Sequence, residues 1–217
     1  MENRVLNALN TLNQRYPALE VCRDEILNAF EIVKDSYENG GKLMICGNGG
    51  SCADSQHIVG ELMKSFTIKR NTTPKDREAL ISLYGEDGQF MADRLEKGLP
   101  AISLESMAGI STAFNNDVEP VLVYAQLAYN CGKAGDVLLG ISTSGNSKNV
   151  NYALKLAKAM GIKTIGLTGQ NGGVFNYSCD CVIHAPSLVT YQIQEYHLPI
   201  YHALCIMLEE HFFGNAE

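Results

Sequence analysis

Charge is scarce in this 217-residue sequence: 19% of its residues are Asp, Glu, Lys or Arg, against about 25% in ordinary soluble domains. A surface so short of charge leaves neutral area that a subunit interface would cover, and an oligomer is expected. What charge there is leans acidic, since 17 Lys and Arg against 24 Asp and Glu leave a net −7. Runs of Lys or Arg are missing too, so broad binding to nucleic acid or to an anionic membrane lacks its electrostatic attraction, and neither partner is expected. No stretch approaches the roughly 18 apolar residues of a membrane span. The opening Met-Glu-Asn-Arg leads into polar, amphipathic sequence rather than an apolar signal core, and a cytoplasmic location is expected. C-x-x-C pairs are absent. The seven cysteines (Cys22, Cys46, Cys52, Cys131, Cys179, Cys181, Cys205) are odd in number and scattered, which indicates neither a disulfide framework nor a zinc knuckle. They read as small buried hydrophobes in a reducing compartment. Cys52 stands apart, because a place just inside a helix N-terminus would lower its thiol pKa.

There is neither an internal repeat nor a low-complexity tract, and the 46% of hydrophobic residues suffices for a full core in one compact domain spanning 1–217. Val5, Leu9 and Leu12 suggest a first helix. Apolar positions from Leu19 through Cys22, Ile26, Phe30 and Val33 to Tyr37 put a stripe on a second, stopped by Asn39-Gly40-Gly41. Residues 1–40 therefore read as a helical hairpin. Five short apolar runs follow, Lys42–Cys46, Ala101–Leu104, Asp136–Ile141, Lys163–Leu167 and Cys181–Ala185, and each reads as a buried strand. Helical periodicity separates them, clearest at Val150–Met160 and Ile193–Phe213. Strands alternating with helices imply an α/β fold with a mostly parallel sheet covered on both faces, and ligands in such sheets bind where strands end and helices begin. Thr67 to Gly98 breaks this rhythm. Thr73-Pro74 looks like a helix start, Gly85 and Gly88 like a turn and Gly98 like a stop, so 67–98 reads as a helical insertion.

Gly47-Asn48-Gly49-Gly50-Ser51 follows the first strand and opens a helix. Backbone N–H groups can converge there on an anion, the helix N-terminus adds partial positive charge and Ser51 can donate, so a phosphate could be held without a lysine. The pattern is neither G-x-G-x-x-G nor a Walker loop, which weakens a nucleotide role. Ser142-Thr143-Ser144-Gly145-Asn146-Ser147 occupies the same strand-to-helix position after the third strand, with Ser147 placed to cap the next helix. One such loop is as readily a well-capped turn as an anion site; two at adjacent strand ends point to a phosphorylated small molecule. A third, Thr168-Gly169-Gln170-Asn171-Gly172-Gly173, needs to be no more than a turn.

His57 and Glu61 stand four apart on the helix begun at Ser51 and share a face. Either they share a metal or one orients the other; a surface pair is the plainer alternative. Near the C-terminus stand Gln194, Glu195, His197 and His202. Gln194 and His202 would be about 12 Å apart on an unbroken helix. Either that helix begins after Gln194 or the two groups serve sites completed by different chains.

Three stretches in order, Gly47-Asn48-Gly49-Gly50-Ser51-x-x-Asp54-x-x-His57-x-x-x-Glu61, Ser142-Thr143-Ser144-Gly145-Asn146-Ser147-x-Asn149-Val150, and Ile193-Gln194-Glu195-x-His197-Leu198 with His202, together with Asn116-Asp117, resemble the sedoheptulose 7-phosphate isomerase family of sugar-isomerase (SIS) domains. The likeness runs over essentially the whole chain. It implies a three-layer α/β/α sandwich on a five-stranded parallel, flavodoxin-like sheet, and a homotetramer with active sites at subunit interfaces. It implies that Ser51, Ser142, Thr143, Ser144 and Ser147 are phosphate ligands, that Asn48 and Asp117 contact the sugar, and that Gly49, Gly50 and Gln194 belong to the same substrate- and phosphate-binding set. Glu61 and His202 become the acid/base pair, and His57, Glu61, Gln194 and His202 the ligands of one zinc ion per subunit, with His197 left in the core or behind the ligands. The implied reaction is aldose–ketose isomerisation of sedoheptulose 7-phosphate to the manno-heptose 7-phosphate through an enediol. Two other readings keep the fold: an isomerase of a different phosphosugar, and a non-catalytic adaptor of the replication-initiator-associating type. The chain departs from the family at Gln192, where an Arg or Lys is usual, and in its longer 67–98 connection, whose Lys69, Arg70, Lys75 and Arg77 are candidates to replace that charge.

Overall fold

The structure is a computed structural model that describes residues 3–214. The ends of the expected 1–217 domain, residues 1–2 and 215–217, lie outside the described set. Five strands, β1 (Leu43–Gly47), β2 (Ala101–Ser103), β3 (Val137–Ile141), β4 (Lys163–Gly169) and β5 (Cys181–Ala185), pair in parallel in the order β2-β1-β3-β4-β5. The runs expected to be strands are strands, with ends shifted by at most two residues. Their apolar character is continuous because both faces are buried. Alternating side chains divide between two cores: Leu43, Ile45, Val137 and Leu139 enter one, Met44, Cys46 and Leu138 the other.

The first core is closed by α1 (Asn3–Arg15), α2 (Arg23–Glu38), α3 (Gly50–Met63) and the long α10 (Thr190–Phe213), the second by α7 (Val123–Cys131) and α8 (Lys148–Ala159). The expected N-terminal hairpin is present with one change. Pro17 starts a separate 3₁₀ turn over Pro17–Cys22, so the second helix begins at Arg23 and not at Leu19.

After β1 the chain goes outward to β2, then returns to the other side of β1 for β3. The direction of winding reverses between β1 and β3, and the two hydroxyl- and glycine-rich loops leave the carboxyl ends of these two neighbouring strands, where a crevice opens in such sheets.

The 67–98 excursion is helical as expected. Thr73 caps α4 (Pro74–Tyr84) by accepting from the Asp76 N–H at 3.1 Å, and Gly85 turns the chain into α5 (Glu86–Ala92). Gly88 is not part of that turn. It lies inside α5 against α4, where a Cβ would stand 2.0 Å from the Leu80 carbonyl oxygen. None of α4 is buried, and Leu83, Tyr84, Phe90 and Leu95 are exposed. An antiparallel bridge between Asn71 and Glu96 closes the base.

Candidate functional site

The loop after β1 is shaped from beneath by a carboxylate. Glu105 Oε1 accepts from the Gly47 N–H at 2.6 Å and from Ser55 Oγ at 3.0 Å, while Oε2 accepts from Ser103 Oγ at 2.6 Å. Burial raises the Glu105 carboxyl above its ordinary pKa, against the pull of these donors. Tyr124 Oη donates to the Gly47 carbonyl at 2.7 Å. Neither Glu105 nor Tyr124 stood out in the sequence. The loop and α3 leave Asn48, Gly49 and Gly50 exposed with Ser51 buried behind them. The Gln194 amide closes one side, its Nε2 2.8 Å from where a Cβ on Gly50 would stand.

The loop after β3 lies alongside. Asn48 Nδ2 donates to Asn149 Oδ1 and Asn149 Nδ2 to Asn48 Oδ1, both at 2.9 Å, so a reciprocal amide pair joins the two loops. Ser147 holds the first position before α8 but makes no side-chain cap; its Oγ is instead 2.9 Å from Ser142 Oγ, which draws both hydroxyls inward. Thr143 is half-buried and Ser144 exposed. The third loop proves to be more than a turn. Its Gly169 N–H donates to the Thr143 carbonyl at 3.0 Å, and Asn146 Oδ1 accepts from the Val174 N–H at 3.1 Å. Gly145, at φ +64°, packs so closely that a Cβ would lie 1.9 Å from the Gly172 carbonyl oxygen. The two loops and the α3 N-terminus thus form one cradle of N–H groups, hydroxyls and amides, suited to an anion.

Cys52, at the amino end of α3, departs from expectation. Desolvation, with the nearby Glu105 adding to it, raises its thiol above the ordinary pKa. Asp117, at the end of α6 (Ala108–Asp117), is exposed and accepts from Asn116 Nδ2 at 2.8 Å; among the described residues no contact ties it to the cradle.

A second cluster sits further along α3, with His57 six and Glu61 ten residues beyond Ser51, about 9 and 15 Å along the axis. His57 Nε2 is 3.2 Å from Glu61 Oε1 and 3.5 Å from His202 Nε2. Glu61 Oε2 is buried without a hydrogen bond among the described residues, with Lys64 Nζ 3.7 Å away. Behind His57, its Nδ1 lies 3.0 Å from Tyr201 Oη, which donates to Asp54 Oδ1 at 3.2 Å. Burial raises the Asp54 carboxyl, with Tyr201 and His57 opposing. Burial and His57 lower the His202 imidazole, with Glu61 opposing.

Two imidazole nitrogens and a carboxylate oxygen at these distances are all electron-pair donors when none carries a hydrogen. They repel unless a proton or a cation sits among them, and the set suits zinc in kind. Among the described residues no three His, Cys, Asp or Glu side chains are already spread around a metal position. Gln194 does not join them. Helix α10 starts at Thr190 and runs unbroken past His202, which removes the alternative of a helix beginning after Gln194 and leaves the two side chains about two turns apart within one chain. His197 is fully buried, 3.2 Å from the Thr168 carbonyl through Nε2, with Nδ1 unpartnered; burial pushes its pKa down to about 4. It is a core group.

Two of the four expected substitutes for the cation missing at Gln192, Arg70 and Arg77, are otherwise engaged. Arg70 is 2% exposed, paired with the fully buried Glu209 at 2.7 Å, and donates to the carbonyls of Leu62 (2.6 Å) and Glu61 (3.2 Å). Its charge is spent holding the last turns of α3 to α10. Arg77 pairs with Asp93 at 2.7 Å, and Gln192 accepts from Ser187 Oγ at 2.8 Å. No described helix is long and apolar enough to cross a membrane.

The SIS-domain family model matches residues 10–82 and 88–169. A phosphoheptose isomerase of Nitratiruptor sp. is 40% identical over 193 residues, covering 89% of this chain and 89% of its own, and one of Clostridium acetobutylicum is 38% identical over 192 residues, covering 88% and 85%. The solved structure of a phosphoheptose isomerase from Neisseria gonorrhoeae superposes with a TM-score of 0.72 at 29% identity, over 94% of this chain and 95% of that one. Sheet order, the paired loops and these likenesses agree: the chain belongs to the SIS-domain family, among the phosphoheptose isomerases.

Proposed function

We propose that the protein is an aldose–ketose isomerase that interconverts sedoheptulose 7-phosphate and D-glycero-D-manno-heptose 7-phosphate in the cytoplasm. The observation that carries the chemistry is the half-buried Glu61 carboxylate, one oxygen without a hydrogen bond among the described residues, set in one cluster with His57 and His202. The cradle takes the phosphate through the N–H groups at Gly49–Ser51 and the hydroxyls of Ser51, Ser142, Thr143, Ser144 and Ser147. Asn48, Gln194 and Asp117 are assigned to the sugar. Glu61 takes a proton from C1 and, after exchange of that proton with solvent, delivers one to C2, while His202 gives a proton to O2 and removes one from O1. Proton balance is kept, and the enediol lies between the two transfers.

His57, Glu61 and His202 would hold zinc, which when bound supplies Lewis-acid polarisation of the sugar carbonyl. The assembly proposed is a homotetramer. Cradle and cluster lie at opposite ends of α3 in one chain, so the reading completes each site with groups from a neighbouring subunit. The low charge content and the apolar residues exposed on α4 and α5 support such contacts. The adaptor alternative is not favoured, since the relatives carry the isomerase name over most of both chains.

The test is NMR of sedoheptulose 7-phosphate with the purified protein in D₂O, with and without added zinc. Aldose signals carrying deuterium at C2 are expected, and Glu61→Gln should slow turnover by about 10²–10⁴-fold. Binding of the sugar phosphate without turnover would refute the isomerase.

A further inference from the structure

Tyr201 is fully buried on α10, and its hydroxyl stands between two groups from α3, Asp54 Oδ1 at 3.2 Å and His57 Nδ1 at 3.0 Å. A phenol has one proton to give. The Asp54 carboxylate can only accept, so that proton points to Asp54, and the phenol oxygen must then accept from His57 Nδ1–H. A neutral imidazole protonated on Nδ1 carries a lone pair on Nε2. That nitrogen faces Glu61 Oε1 at 3.2 Å and His202 Nε2 at 3.5 Å. The arrangement has little freedom to reorganise. The Tyr201 ring meets both imidazoles edge-on, with centroids 5.5 Å from His57 and 5.0 Å from His202, and Asp54 and His57 are three apart on one helix face.

We infer that Asp54 and Tyr201 are positioning residues that fix His57 as its Nδ1–H tautomer and so aim an electron pair from Nε2 into the Glu61–His202 cluster. A histidine left to water favours the opposite tautomer, with Nε2 protonated. In that form His57 would present a hydrogen to Glu61 and occupy the carboxylate as an ordinary helix-surface pair. The relay therefore separates a cluster open to a cation from one closed by its own hydrogen bond, because the second bond made by a ligating histidine sets which nitrogen is free. As it concerns zinc, this inference rests on the reading given under Proposed function. The tautomer itself does not.

The experiment uses the full chain, labelled with ¹⁵N in histidine and freed of metal by a chelator. Two-bond ¹H–¹⁵N spectra should show His57 with a protonated Nδ1 and an unprotonated Nε2 in the wild type. Tyr201→Phe removes the acceptor, and Asp54→Ala frees the phenol proton to be given to Nδ1; each should switch His57 to the Nε2–H pattern. Asp54→Asn keeps an acceptor for the phenol and should retain the wild-type pattern. Zinc titration of the same proteins should show an affinity loss of about 10–100-fold for Tyr201→Phe and Asp54→Ala, and a smaller one for Asp54→Asn. An unchanged His57 pattern in Tyr201→Phe that melts like wild type overturns the relay. So does a wild-type protein whose His57 carries its proton on Nε2. If Tyr201→Phe fails to fold, the Asp54 pair decides by the same spectra. A wild-type protein that binds no zinc removes the metal from the functional reading, while the spectra still decide the relay.

Discussion

The two ends of α3 hold their geometry by opposite means. At the amino end the cradle is made of backbone N–H groups, hydroxyls and the Asn48–Asn149 amide pair, packed so tightly that Gly145 touches Gly172. At the carboxyl end the Glu61 turn is held by charge. Arg70 and Glu209, both buried, bind each other, and Arg70 binds the carbonyls of Glu61 and Leu62. A structure closed by backbone contact should tolerate the loss of one polar atom but not the gain of a methyl group. A structure closed by buried charge should tolerate bulk but not the loss of a partner.

The sharpest break in this contrast is Glu209→Ala. Glu209 accepts from Arg70, from the N–H groups of Phe66 and Thr67 and from the Thr67 hydroxyl. Burial alone would raise its carboxyl, yet these donors prevail and hold it below the ordinary value. Removing it strands a buried guanidinium and should cost about 3–5 kcal/mol in urea unfolding. The pair Arg70→Met with Glu209→Leu should recover only part of that loss, since the Phe66 and Thr67 N–H groups then lose their acceptor.

Next in size is a pH effect near the cradle, where His197 is buried and neutral. Its folded pKa of about 4 lies below the unfolded value of 6.5, so between those pH values the unfolded chain binds more protons. Stability is complete above pH 6.5 and falls as the pH drops toward 4, by about 3 kcal/mol from this group. His197→Gln should flatten that part of the curve; an unchanged slope would place the acid sensitivity at the charged end instead.

Gly145→Ala should come third. A Cβ there would sit 1.9 Å from the Gly172 carbonyl oxygen, so the loop must shift, at about 1–3 kcal/mol of thermal stability. The KM for sugar phosphate should rise while Glu61-dependent exchange persists. Smallest is Asn149→Ala, which removes one amide pair at about 0.5–1.5 kcal/mol and should raise KM modestly at unchanged kcat. A fall in kcat comparable to that of Glu61→Gln would erase the distinction between the two ends.

Local pattern carried most of this into the sequence. Apolar runs marked all five strands because burial on both faces removes alternation, and the loops after β1 and β3 were legible from glycine and hydroxyl clustering alone. The i, i+4 spacing of His57 and Glu61 placed them on one face, as found. What escaped were contacts between residues far apart in sequence. Arg70 meets Glu209 across 139 positions, and Tyr201 meets His57 across 144. Nothing local distinguishes a basic residue beside Lys69 as the one that is buried. Cys52 went astray because burial, aided by a carboxylate from beyond β2, raises its thiol, and Ser147 because a serine five residues back engages its hydroxyl. Helix position alone spoke for neither.

The bridge between Asn71 and Glu96 has a wider consequence. Because α4 and α5 leave and rejoin the body at one point, the excursion is a graft rather than a thread. It can be lengthened, trimmed or exchanged with little added entropic cost, since closing a loop depends only weakly on its length, and no strand need change its place. Arg70, one residue ahead of the graft, marks where that freedom stops: its ion pair with Glu209 ties the chain there to the sheet-bearing body, and the segment from Asn71 to Glu96 is open to revision.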